Sequence, residues 1–231
     1  MDIIFPPHCR ICGEIGSSIL CRKCIESFQP LVPPLCEICS APVDREEELT
    51  ICSRCRDFRP SYDRAWSLFV YDGALKKAVL DFKYNGVSRL HNIFGELIFE
   101  RLKRELKGTE IDAVVAVPLH PSREKSRGYN QALLLARSSA SMISLPVLES
   151  ELVRVRHTDS LSDLGRKERY SSLEGVFSLQ KKISLTGKKI LLVDDIITTG
   201  ATFHQCSRIL KEGGASHVYG ITVARTLGHD L

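Results

Sequence analysis

The chain has no long hydrophobic run and no strong excess of either charge. A helix that spans a bilayer needs about 20 consecutive apolar residues, so a helical membrane protein is set aside. The opening residues, MDIIFPPHC, lack a basic segment followed by an apolar stretch of the kind that directs secretion. The expectation is a cytoplasmic protein with no membrane insertion. A net charge of +4 is too small to point by itself to nucleic acid. Nor is the composition that of a disordered tail. With 43% hydrophobic and 26% charged content over 231 residues, the chain suits one or two globular domains with a sizeable core. Beyond residue 55 cysteine is almost absent, with Cys206 alone remaining. Cys206 shares a helix face with Phe203 and Leu210 and reads as a core residue rather than a nucleophile.

The other eight cysteines crowd into the first 55 residues as four CxxC pairs: Cys9/Cys12, Cys21/Cys24, Cys36/Cys39 and Cys52/Cys55. A two-residue spacer lets both thiolates of a tight knuckle point at one tetrahedral Zn²⁺, and two knuckles complete a four-cysteine site. Eight ligands make two sites. Sequential pairing joins Cys9, Cys12, Cys21 and Cys24, then Cys36, Cys39, Cys52 and Cys55; an interleaved cross-brace is the alternative that spacing leaves open. One pair would serve a redox function. Four pairs in a segment poor in core residues indicate metal-driven folding, with structural rather than catalytic zinc.

The composition changes near RDFRPSYDRAW, and an alternation of strands and helices follows. Strands are expected at 66–72, 112–118, 146–153, 175–179, 188–195 and 217–224. Helices are expected in GALKKAVLDFKYNG, in IFGELIFERLKREL, at 130–143 and in ATFHQCSRILKEGG. The alternation predicts an α/β domain with a largely parallel sheet over 59–231, preceded by a small zinc-ribbon domain over 1–58.

In such a sheet, ligands sit beyond the carboxyl ends of the strands. Asp194 and Asp195 stand at that edge, in KKILLVDDIITTGAT (188–202). After them come Ile196, Ile197, Thr198, Thr199, Gly200, Ala201 and Thr202. The small side chains at the end of this run permit close backbone approach, successive N–H groups form a nest, and hydroxyls add donors, which is what a phosphate requires. Two carboxylates facing that phosphate would repel it, so they should meet neutral hydroxyls, as on a ribose, or a cation. A 5-phosphorylated sugar satisfies both demands. A second loop after a strand end, VPLHPSREKSRGYNQ, holds His120, Arg123, Lys125 and Arg127 at the same edge and suits an anion of several charges.

ILLVDDIITTGAT resembles the phosphoribosyl-pyrophosphate (PRPP) motif of type I phosphoribosyltransferases. With the four CxxC pairs, LDFKYNG and VPLHPSREKSRGYNQALLLA, the arrangement resembles the ComF competence-protein family. The resemblance implies a type I phosphoribosyltransferase-like fold, with 59–108 as a hood-like segment and 109–231 as the core. It implies that Asp194 and Asp195 bind the ribose hydroxyls and that Thr198 to Thr202 cradle the 5-phosphate, with Ile196 and Ile197 part of the PRPP-binding run. Lys83, Leu119, His120 and Arg123 would bind pyrophosphate. Arg123, Arg127, Arg166 and Arg169 are the candidate catalytic residues, stabilising the leaving pyrophosphate. Residues 154–172 would be the mobile loop over the reacting ribose, with Arg154 and Arg156 also in reach. The family pattern has Gln near Leu161 and Asn near Ser172, and this chain has neither.

The implied ligand is PRPP with Mg²⁺, and the implied setting is competence and DNA uptake. Two functions follow. One is a phosphoribosyltransferase of unidentified acceptor. The other is a non-catalytic PRPP-sensing or single-stranded-DNA-binding component of DNA uptake, with a protein partner docked on the zinc head as a further possibility. The basic residues for a nucleic acid would be Lys76, Lys77, Lys83, Arg89, Arg101, Lys103, Arg104 and Lys107, diluted by Asp81, Glu96, Glu100 and Glu105.

Overall fold

The computed structural model describes residues 8–16, 18–43, 50–158, 166–180 and 184–227, with the side chains of residues 166 and 167 excepted. The cysteine-rich head carries two short helices, α1 (Arg22–Glu26) and α2 (Ser53–Asp57). The rest runs β1 (Arg64–Val70), α3 (Gly73–Tyr84), α4 (Leu90–Glu105), β2 (Ala113–Ala116), α5 (Pro121–Arg127), α6 (Gln131–Met142), β3 (Val147–Leu148) and β4 (Leu152–Arg154). It ends α7 (Arg166–Ser172), β5 (Phe177–Leu179), β6 (Lys189–Ile197), α8 (Ala201–Glu212) and β7 (His217–Arg225). No helix among the described residues is long and apolar enough to cross a membrane.

Five strands form a parallel sheet in the order β1-β7-β6-β2-β3. The central strand β6 contributes Ile190, Leu191, Leu192 and Val193, all fully buried. A strand covered on both faces needs such an unbroken apolar run, which is why it was legible in the sequence. Helices α4 and α6 pack on one another at close range: a Cβ on Gly95 would lie 2.4 Å from the Ser138 Cβ, so that crossing requires glycine. Asn130 fixes where α6 begins. Its Oδ1 accepts from the amides of Ala132 and Leu133, and its Nδ2 donates to Val117 O at 3.2 Å.

One expected strand is corrected. Residues 146–153 do not form a single strand: Val147 and Leu148 pair with β2, whereas Leu152–Arg154 leaves the sheet and pairs antiparallel with β5. Between them the polar Glu149, Ser150 and Glu151 turn outward, with Glu149 gripped by Arg137 at 2.5 and 2.6 Å. The basic loop after β2 is also partly helical. Pro121 at the first position and His120 as N-cap start α5, and Gly128 in the left-handed conformation ends it.

In the head, the two metal clusters follow the sequential pairing. The ligand atoms of Cys9, Cys12, Cys21 and Cys24 lie within 4.8 Å of one another, as do those of Cys36, Cys39, Cys52 and Cys55. The head also closes an edge of the sheet. The amides of Leu31 and Ala65 donate to Leu68 O and Ile38 O at 3.1 and 2.7 Å, and the Val70 amide donates to Gln29 O at 2.9 Å, which satisfies groups that an edge strand would leave open.

Candidate functional site

The chain runs from β2 to β3 in one direction along the sheet and from β6 to β7 in the other. Right-handed crossovers therefore send the loops after β2 and β6 to opposite faces, opening a crevice at their carboxyl ends. Asp194 and Asp195 lie near the end of β6, and the loop with His120 and Arg123 follows β2, so both flank this crevice.

Asp194 and Asp195 are successive strand residues, so their side chains leave on opposite faces. Asp195 is 5% exposed and receives Lys83 Nζ at 2.9 Å from α3. Burial by itself lowers the Lys83 ammonium, but the charges of Asp195 and Asp194 outweigh it and hold its pKa raised. Asp194 lies on the side of Cys206 and Arg154, and its Oδ1 accepts from the Asp195 amide at 2.8 Å. Burial, and then the neighbouring Asp195 charge, push its carboxyl up to about 7 despite the pull of Lys83. The ion pair compensates one carboxylate and leaves the other short of partners for its charge. Hydroxyl donors or a cation would relieve it.

Across the crevice stands a cationic group. Arg123 donates to Thr158 O at 2.9 Å, and Arg154, at 9% exposure, bonds the Thr158 hydroxyl and lies over the Phe177 ring. His120 stacks edge-on against His157 at 5.2 Å. Burial, then the charges of His157, Arg154 and Arg123, lower the His120 pKa; burial and Arg123 lower that of Arg154. Among the described residues neither Arg123 nor Arg154 forms an ion pair within 4.0 Å. The Asp194 charge offsets this only in part for Arg154, and mutually repelling cations that lack a close ion pair make an anion site.

The phosphate-type loop follows β6. Thr198 is half-buried and Thr199 buried, and Gly200 takes φ +83° at the N-cap of the 12-residue α8. A Cβ there would also lie 3.0 Å from the Tyr62 hydroxyl, so conformation and space both call for glycine. Ala201 N donates to Thr199 Oγ1 at 3.4 Å.

The remaining expected residues are placed as follows. Arg127 donates to Gln131 and to the Tyr84 hydroxyl, stacks over the Tyr84 ring at 4.9 Å, and acts on Asp194 electrostatically. Leu119 is half-buried in the loop before α5, Arg169 is buried in α7, and the Arg166 side chain lies outside the described residues. The segment 154–172 is not wholly a solvent loop: Arg154 and Arg169 are buried at its two ends, while 159–165 fall outside the described residues. Of the basic residues, Lys77 donates to Ile11 O, Arg101 pairs with Glu105 at 3.0 Å and Lys103 with Glu100 at 3.2 Å. Sequence reasoning missed Tyr71, whose pKa is raised by burial and then shaped by Lys83 and Asp195, and it missed His157 and Thr158. Tyr71 follows β1 directly, so the carboxyl-edge rule applied to every strand would have found it.

A double zinc ribbon domain matches residues 1–56, and a phosphoribosyl transferase domain matches residues 88–227. The chain belongs to the phosphoribosyl transferase domain family. This domain, behind a double zinc ribbon, is the order that the ComF resemblance implies. The chain is similar over nearly its whole length to Competence protein F of Haemophilus influenzae, with 28% identity covering 94% of this chain and 95% of that one. It is similar to Competence protein ComFC of Streptococcus pneumoniae, with 29% identity covering 94% and 99%, and to DNA utilization protein YhgH of Escherichia coli K12, with 25% identity covering 95% and 96%. The parallel sheet of this phosphoribosyl transferase domain carries the crevice, and its eight-cysteine head offers two all-thiolate, four-donor sets that fit Zn²⁺ with no open position.

Proposed function

We propose that the protein binds PRPP in the crevice between β2 and β6 and transfers its 5-phosphoribosyl group to an acceptor, in a role in competence and DNA uptake. The observation that carries this reading is the juxtaposition of three incompletely neutralised elements. These are a carboxyl pushed up to about 7, a cationic group whose Arg123 and Arg154 form no ion pair within 4.0 Å among the described residues, and a glycine-turned loop opening a helix. PRPP presents a matching part to each. The loop 198–202 holds the 5-phosphate, Asp194 and Asp195 accept from the ribose hydroxyls, and Arg123, Arg154 and His120 face the pyrophosphate. Lys83 sets the charge of the acid pair. Mg²⁺ arriving with PRPP would add to the neutralisation of the pyrophosphate that Arg123, Arg154 and His120 provide. The relatives named for competence and DNA utilization support the setting.

One observation favours the non-catalytic alternative, a PRPP-sensing or DNA-binding component. The hydroxyl of Ser172, where the family pattern has an amide, donates to Arg169 O in its own helix at 3.1 Å. It is spent locally rather than on a ligand. Calorimetric titration of the zinc-loaded protein with PRPP and Mg²⁺, followed by assay of pyrophosphate release with bases, amines and single-stranded DNA, separates the readings. Binding with release supports the transferase, and binding without release supports the sensor. Unchanged affinity in Asp194→Asn/Asp195→Asn would overturn the site.

A further inference from the structure

The four-cysteine site of Cys36, Cys39, Cys52 and Cys55 adjoins the loop 198–202 along two routes. The first runs through Arg225, 3% exposed at the end of β7. Its guanidinium donates to Cys39 O at 2.6 Å and reaches Cys39 Sγ at 3.6 Å. In the sheet register Arg225 lies opposite Ile197, the residue before the loop, and the next amide, Thr226 N, donates to Ile197 O at 3.1 Å. The second route leaves Cys55 along the chain. Phe58 packs edge-on against Tyr170 at 4.9 Å and His204 at 5.0 Å, and the Ser61 amide donates to His204 Nδ1 at 3.0 Å. Tyr62 then places its hydroxyl where a side chain at Gly200 would be, and Tyr170 donates to Thr199 O at 3.3 Å. Cys39, Cys55, Tyr62, Tyr170, Thr199 and Arg225 line a single pocket, so the cysteines and the loop face one another across it.

We propose that the second four-cysteine site positions the phosphate loop, so that metal held by Cys36, Cys39, Cys52 and Cys55 and a phosphate held at Thr198–Thr202 stabilise one another through Arg225, Tyr62 and Tyr170. The inference rests on the reading of that loop as a 5-phosphate site. Its physical basis is that the knuckle carrying Cys39 keeps its shape only with metal bound, and that Tyr62, on the continuation of the second site, and Tyr170, packed on Phe58 of that continuation, both lie against the loop's φ +83° turn. Coupling between two sites is reciprocal, so either ligand reports on the other. The first site, Cys9, Cys12, Cys21 and Cys24, contacts α3 rather than this loop and serves as an internal control.

The test is zinc release from the full chain to a chromophoric chelator, with and without saturating ribose 5-phosphate, alongside calorimetry of the same ligand. One of the two zinc equivalents should leave about tenfold more slowly when ribose 5-phosphate is bound, a factor within the usual range of such couplings. The other should leave at an unchanged rate. Tyr170→Phe, which removes the bond to Thr199 O, should keep both zincs and shrink the protection. Cys12→Ser should lose the unprotected equivalent and keep the protected one. If ribose 5-phosphate binds while neither equivalent is slowed, the linkage is overturned and the phosphate site stands. If it does not bind the zinc-loaded chain at all, the phosphate-site reading fails and the linkage fails with it. The release experiment on the unsubstituted chain decides the question even where a variant fails to fold.

Discussion

The two four-cysteine sites share a ligand set and a spacer within each pair, yet they sit in different physical settings. In the first, Cys12 is exposed, and the knuckle reaches the domain through side chains on α3: Lys77 donates to Ile11 O at 3.0 Å, and Arg10 meets Asp81 at 3.5 Å. In the second, Cys36, Cys39 and Cys55 are buried. The surrounding chain is stitched to β1 by the Ala65 amide on Ile38 O and the Ser40 hydroxyl on Ala65 O, and to β7 by Arg225. Both sites put cysteines into the core, Cys9 and Cys24 from the first and Cys36, Cys39 and Cys55 from the second, but the first is tied to the domain by side chains of α3 and the second by bonds to β1 and β7. Surroundings, not ligands, decide whether loss of metal stays local. The first site backs α3, which carries Lys83, and the second backs the loop into α8.

The sharpest way to break the comparison is to remove one ligand from each site. Cys39→Ser should cost one zinc equivalent and at least about 3 kcal/mol, seen as a fall of roughly 6–12 °C in the main calorimetric transition. Cys12→Ser should cost one equivalent and leave that transition within about 2 °C. Equal falls would show that the sites are equivalent. Next in size is the pH dependence on the α8 side. Asp194 is raised from 3.8 to about 7, so the folded chain holds its proton more tightly than the unfolded chain does. The stability this confers is fully present below about pH 4 and is lost as pH rises towards 7. At about 1.4 kcal/mol per unit the swing is at most about 4 kcal/mol. Urea denaturation between pH 5 and 8 should therefore favour Asp194→Asn over the unsubstituted chain increasingly with pH; a constant difference would refute the shift.

Gly200→Ala should cost about 1–3 kcal/mol through its φ of +83° and the close Tyr62 hydroxyl. It should also weaken ribose 5-phosphate binding by calorimetry, while zinc in the first site stays bound. The smallest effect belongs to the first site. Arg10→Ala breaks an ion pair whose arginine is 37% exposed, and should change stability by about 1 kcal/mol or less in urea denaturation.

Much of this arrangement was legible. The buried strands β2 and β6 announced themselves as apolar runs, and α8 as a face of Phe203, Cys206 and Leu210 closed by glycines. The break at Glu149–Glu151 was written in the sequence as three consecutive polar residues between Val147–Leu148 and Leu152–Val153, but which partner each apolar pair takes depends on the sheet. The burial of Arg154 and Arg169 was hidden. Arginine in a polar stretch reads as surface, and only the Thr158 and Phe177 contacts show Arg154 otherwise. In the site, the loop residues after β2 and β6 were found, as were Lys83 on α3 and Arg154 on β4, while His157, Tyr71 and Tyr170 were not.

The sequence by itself determined what short-range geometry controls. A two-residue spacer aims two thiolates at one ion, period-two alternation sends Asp194 and Asp195 to opposite faces, and a run of small and hydroxylated residues at a strand end can receive a phosphate. The tertiary structure alone decided which cysteine pairs share a metal, which of the two sites is tied to β1 and β7, and which cations gather at the crevice. The bond from Arg225 to Cys39 spans 186 residues. Such a contact depends on the order of strands in the sheet, and that order is fixed by the packing of the whole chain rather than by any stretch of it.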